Sequence, residues 1–228
     1  FLTLFKPLSR FMPEVGAPAR RVGFNEKIFW TAMALVLYLI MCEVPLFRVG
    51  PTSGWELTYL RVIFASHRGS LMELGIGPIV TAGLILQLLA GSGMIACDFT
   101  NPDDRALFTT ASKFFSIIMT GVQASAYLIG GVYGSLDAST STIIFLQLLT
   151  AGILLMLLDE MIQKGWGIGS GISLFILAGV AQGVLWDSFF PSPAMGDGKS
   201  YGAFIALAQG FMNREPLKNA FIRLDSAG

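Results

Sequence analysis

Glu73–Cys97 reads ELGIGPIVTAGLILQLLAGSGMIAC, and this stretch decides the fold. From Leu74 to Cys97 no side chain is charged. That run of about 24 residues is enough to cross a hydrocarbon core of roughly 30 Å. Yet it opens on Gly75-Ile76-Gly77-Pro78, and glycine and proline each cost about 1–3 kcal/mol inside a helix. Broken backbone at membrane depth persists only where protein buries it or where it lines a water-filled cavity. Two readings stand: a span that borders a pathway, and an ordinary span with a kinked entrance.

The wider composition agrees with a membrane setting. Of 228 residues, 54% are apolar and 13% charged, and the mean hydropathy is +0.66. A soluble domain carries about 25% charged residues. The chain therefore reads as an all-α polytopic membrane protein. Its net charge of zero argues against direct, sequence-specific nucleic-acid binding, and any ribosome or membrane-surface contact must come from a local patch. No secretory signal with a small-residue cleavage site is visible. The chain begins without Met and ends with no final span, which predicts a piece of a longer protein.

Taken in order, residues 1–27 form an N-terminal segment. Phe1–Met12 spaces Phe1, Leu4, Phe5, Leu8, Phe11 and Met12 helically around Lys6 and Arg10, which predicts a short amphipathic interfacial helix, weakened by Pro7. A five-span body follows over 28–189, with spans at 28–47, 74–97, 114–133, 143–158 and 171–186. Between the first two, Leu57–Ser66 (LTYLRVIFAS) is apolar but too short to cross, so it is either a re-entrant plugging segment or a helix lying on the surface. The third span is rich in small residues, which allow close helix contact in lipid. Its Gln123 is polar at mid-span and needs a partner. Asp103-Asp104 and Asp159-Glu160 sit at membrane edges and read as solvated helix ends. Residues 190–228 form an outer loop with a short interfacial helix at 203–212.

Basic residues set the orientation. With the N-terminus inside, the inner flanks carry Lys6, Arg10, Arg20, Arg21, Lys27, Arg105, Lys113 and Lys164, while the outer loops carry Arg48, Arg61 and Arg68. This predicts a cytosolic N-terminus. Cys42 and Cys97 then fall on opposite faces and cannot pair. One histidine, His67, leaves no basis for a metal site or a Ser/His/Asp arrangement. The glycine run Gly165–Gly171 lacks the strand that a nucleotide-binding loop requires. No enzyme chemistry and no cofactor are expected.

Two stretches carry a resemblance. Leu157–Ile176 (LLDEMIQKGWGIGSGISLFI) and Glu73–Gly91 resemble the signatures of the α subunit of the Sec protein-conducting channel, the SecY family. Arg61–Leu74 and Asp104–Lys113 resemble its eukaryotic, endoplasmic-reticulum branch. The resemblance runs from Phe5-Lys6-Pro7 to Phe221. It implies the first five-helix half of a ten-helix pseudo-two-fold channel. It further implies that Leu57–Ser66 is the plug, through Leu57, Leu60, Arg61, Ile63 and Phe64. Ile76 and Val80, with Ile172 and Ile176, would form the apolar pore ring. The lateral gate would open beside the second and third spans, where Thr81, Thr120 and Gln123 supply polar contacts.

The implied partners are small single-span β and γ subunits, the ribosome, nascent polypeptides with signal sequences, and the lipid bilayer. The implied location is the endoplasmic reticulum membrane, multi-pass. The implied ring makes physical sense. Each pair is i,i+4, so its members stack on one helix face. Branched aliphatics bind no ion, gate by dewetting and yield to a chain of any sequence. The competing reading is half of an inverted-repeat secondary transporter, which needs carboxylates or converging backbone polar groups at the midplane. The spans offer Gln and Thr but no mid-span charge. A non-conducting scaffold is the third reading.

Overall fold

Proline and glycine punctuate this chain, and the helix ends follow them. The computed structural model describes residues 12–49, 69–95, 100–134, 137–189 and 203–212. The regular elements among the described residues are all helices, with no strand. The expected N-terminal helix up to Phe11 and the expected plug with Leu57, Leu60, Arg61, Ile63 and Phe64 lie outside the described residues, as do His67 and Cys97.

Helix α1 spans Phe24–Glu43. It stops short of the predicted Phe47 because Pro45 bars the helical conformation from Val44, which is extended at φ −76°, ψ 114°. The chain leaving α1 pairs with the chain approaching the next helix: Leu46 N–H donates to Gly69 C=O at 2.8 Å and Leu71 N–H to Val44 C=O at 3.0 Å. Gly75 then turns at φ +53°, a conformation that costs glycine almost nothing. Helix α2, Gly77–Gly91, starts there with Pro78 in its first turn, where its missing N–H costs nothing. At 15 residues α2 is shorter at both ends than the uncharged run, since glycines bracket it.

Helix α3, Pro102–Ile129, is 28 residues long. It begins well inside the polar stretch expected as a loop up to Lys113. Proline opens it, where a missing N–H costs nothing. Helix α4, Ala138–Met161, runs on into one wide π turn, Ile162–Trp166, in which Gly165 sits at φ +103°. Helix α5, Gly171–Phe189, follows, and α6 occupies Ala203–Met212, matching the short apolar run.

The chain divides into two units, Phe1–Leu177 and Ala178–Gly228. In the first, α2 packs on α3, α3 on α4, and α1 on α4 and the π turn. Leu86 and Ala111 are fully buried with Ile95 beneath Phe114 and Phe115. A second cluster joins Leu46, Leu74, Ala124, Ile144 and Leu148. Alanines at these crossings let backbones approach closely, which is how helices associate in lipid. Tyr38 of α1 stacks on Phe175 of α5, with centroids 5.1 Å apart and both side chains fully enclosed. In the second unit Phe189 and Phe204 stack at 5.3 Å. The helical stretches Phe24–Glu43 and Ala138–Trp166 are long and apolar enough to cross a membrane; Gly77–Gly91 and Gly171–Leu185 are apolar but shorter.

Candidate functional site

Helices α2, α3, α4 and α5 surround a cavity of about 620 Å³. Its walls differ in chemistry. Helix α2 contributes Ile79, Val80 and Leu84, with Gln87 farther along. Helix α3 faces it with Thr109, Ser112, Lys113 and Ser116, and α4 with Asp159 and Glu160. Ile172, in the first turn of α5, closes the lining.

The polar wall is organised by a buried ion network. Glu160 Oε1 takes Lys113 Nζ at 2.6 Å and Lys164 Nζ at 2.8 Å. Glu160 is 7% exposed and Asp159 6%. The sequence marks this carboxylate pair as a solvated helix end, and the structure corrects that reading. The π turn folds the chain back, so that α5 and Lys113 cover both groups. A charge so placed persists only when it is paired and hydrogen-bonded. For Asp159 the partners are the backbone N–H of Ile172, 3.0 Å from Oδ1, and Gln163 Nε2, 2.7 Å from Oδ2. Asp159 thus caps α5 from a neighbouring helix, where the dipole favours an anion. The approach requires glycine at position 171: a Cβ there would lie 2.5 Å from Asp159 Oδ1 and 2.8 Å from its Cα.

The segment before α1 straps this corner from outside. Glu14 Oε1 accepts from Lys164 Nζ at 2.5 Å, and Gly16 C=O accepts from Trp166 Nε1 at 2.8 Å. The hydrogen bond from Lys164 holds the Glu14 carboxyl below its ordinary range. Trp30 meets Trp166 edge-on at 5.3 Å, and Thr31 Oγ1 accepts from Ile168 N–H at 3.0 Å. Together these contacts tie the segment before α1, and α1 itself, to the turn that leads into α5.

Of the four ring candidates, Val80 and Ile172 come together at the cavity. Ile76 caps the start of α2, one turn below Val80, and is 1% exposed. Ile176 is half-buried one turn above Ile172 on α5. Among the gate candidates, Thr81 and Gln123 are half-buried on α2 and α3. Thr120 is 2% exposed; its hydroxyl donates to Ser116 C=O in its own helix at 2.8 Å, and its methyl lies against Gly152 of α4. Sequence reasoning missed Glu14, Lys113 and Asp159 as members of the site. Only the Glu160–Lys164 pair, i,i+4 on one turn, was available as a signal. Among the described residues no group of three His, Cys, Asp or Glu could hold a metal.

The geometry has close relatives. A family model described as SecY matches residues 70–222. The protein transport protein SEC61 subunit alpha of Debaryomyces hansenii is 44% identical over 97% of this chain and 47% of its own length. That of Yarrowia lipolytica is 42% identical over 97% of this chain and 48% of its own length. A solved structure of Sec61 in the canine ribosome-channel complex from the endoplasmic reticulum superimposes with a TM-score of 0.78 at 38% identity, covering 91% of this chain and 46% of that one. The chain spans about half the length of the curated relatives it matches.

Proposed function

Because the chain belongs to the SecY family, we propose that it forms the N-terminal half of the pore-forming subunit of a translocon. That subunit passes secretory polypeptides across the endoplasmic reticulum membrane and releases membrane proteins sideways into it. Five spans would traverse the bilayer from a cytosolic N-terminus, residues 190–228 would lie in the lumen, and Leu57–Ser66 would be the plug.

The observation that carries this reading is the meeting of Val80 and Ile172, from helices far apart in sequence, at one cavity with an apolar wall and a polar wall. Ile76, Val80, Ile172 and Ile176 form an aliphatic collar that dewets around nothing and yields around a chain. The contacts of Asp159, Lys164 and Trp166 anchor the start of the helix bearing Ile172 and Ile176. Thr81 and Gln123 line the lateral gate on α2 and α3; Thr120, packed on Gly152, sets the spacing of α3 on α4 instead. Small β and γ subunits, the ribosome and nascent chains with signal sequences are the partners, the ribosome on the strength of the canine complex. The chain performs no covalent chemistry.

Single-channel recording on the full-length channel tests the reading. Deleting Leu57–Ser66, or replacing Val80 and Ile172 together by glycine, is expected to raise resting ion conductance while secretory chains still cross. Unchanged resting conductance in both variants overturns it.

A further inference from the structure

We propose that Asp159 is a positioning residue of the pore: its grip on the backbone N–H of Ile172 sets how tightly the resting channel excludes ions, a role that rests on reading the chain as half of a protein-conducting pore. The first N–H groups of a helix lack a carbonyl partner in their own helix. In α5, Leu174 N–H donates to Ser170 C=O at 3.1 Å. Ile172 N–H lies ahead of that bond and donates to Asp159 Oδ1 at 3.0 Å. Gln163 Nε2 donates to the other oxygen at 2.7 Å. The carboxylate is thus held from both sides, and the residue is 6% exposed.

The residue so gripped lines the cavity together with Val80. Its backbone nitrogen is two bonds from its Cβ, so a hold on the backbone is a hold on the side chain. Upstream, Ile168 N–H donates to Thr31 Oγ1 at 3.0 Å; downstream, Phe175 is enclosed against Tyr38. Between Ile168 and Ile172 the chain is Gly169-Ser170-Gly171, with Gly169 at φ +77°. Two glycines in three residues make a joint too free to place α5 by itself. Asp159 supplies the hold. Functional groups need their positions kept within about 0.5 Å by the hydrogen bonds beneath them, and an apolar constriction that gates by dewetting depends on its width. A hydrogen bond to a charged acceptor, made only with Ile172 in place, favours that place by about tenfold or more.

Resting single-channel conductance of the full-length membrane-embedded channel tests this, with thermal unfolding in detergent measured beside it. Asp159→Ala removes the acceptor and is expected to raise resting leak about tenfold. Asp159→Asn keeps an oxygen for the Ile172 N–H, and the Gln163 amide turns its own oxygen toward the new amide nitrogen; leak is expected within about threefold of wild type. Gly152→Ala, overpacked against Thr120 of α3, reads what lost stability alone does, and its leak should match wild type. Equal leak in Asp159→Asn and Asp159→Ala overturns the proposal, because the charge and not the hydrogen bond then matters. So does equal leak in Gly152→Ala and Asp159→Ala, because leak then follows stability. If Asp159→Ala fails to assemble, Gln163→Met decides: with Oδ2 released the carboxylate swings more freely, leak should rise about threefold, and wild-type leak overturns the proposal. Tight Asp159→Ala channels beside leaky channels of the Val80→Gly, Ile172→Gly double variant overturn it alone; tightness in both overturns the pore reading with it.

Discussion

Lys113 on α3 and Glu160 on α4 lie 2.6 Å apart with their side chains 11% and 7% exposed. The pair fastens α3 to the end of α4 at the mouth of the cavity. A buried charge stripped of its partner costs about 3–5 kcal/mol, whereas replacing both partners by apolar groups is often neutral. Glu160→Ala is therefore expected to destabilise the full-length protein by about 3 kcal/mol. The double change Lys113→Met, Glu160→Leu is expected to recover most of that. Thermal unfolding in detergent checks the pair of variants. A double variant as unstable as the single one would contradict the account.

Thr120 of α3 packs directly against Gly152 of α4. A Cβ at position 152 would lie 2.6 Å from the Thr120 methyl. Gly152→Ala is expected to cost about 1–3 kcal/mol by overpacking. Thr120→Ser removes that methyl and keeps the hydroxyl bonded to Ser116, so the double variant should regain most of the loss. The same unfolding measurement decides it.

The strap predicts a pH dependence. Glu14 titrates below its ordinary value near 4.5, chiefly through the hydrogen bond from Lys164. A carboxylate whose folded pKa is lowered stabilises fully above its unfolded pKa and loses that contribution as pH falls through the folded value. Its side chain is 60% exposed, so solvent screening limits the gain to about 0.5 kcal/mol. Glu14→Gln should lower the melting temperature slightly at pH 7, and that difference should shrink as the pH falls below the ordinary value near 4.5. A difference that grows on acidification would refute the sign.

Phe175 is wholly enclosed against Tyr38. Phe175→Ala should destabilise by about 3–5 kcal/mol. Because Phe175 stands between Ile172 and Ile176 on α5, it should also raise resting ion leak in planar bilayers. A stable, tight channel would show that the stack does not seat α5.

Polar contacts between membrane helices are worth about 0.6 kcal/mol on average. Gln123→Leu is accordingly expected to shift gate opening by about threefold, read as altered dependence of translocation on signal strength. Identical dependence in variant and wild type would remove Gln123 from the gate.

The sequence alone determined the helical membrane class, the family, the break at Gly75–Pro78 and the i,i+4 aliphatic pairs. Each of these is written locally, in a run of uncharged residues, a turn-forming glycine or a helical period. It also placed α6 at 203–212 correctly, because a short apolar run bounded by polar residues has few alternatives. The same local cues misplaced the start of α3, where polar side chains were mistaken for loop although proline suits a helix N-terminus. They also put Asp159 and Glu160 in solvent. Only tertiary structure decided those charges, since Lys113 reaches Glu160 across 47 positions and Lys164 reaches Glu14 across 150. A charge next to an apolar run costs little if water reaches it and a great deal if it is buried. Which holds depends on the π turn and on Gly171 bringing α5 down onto Asp159, and no one-dimensional pattern encodes that closure.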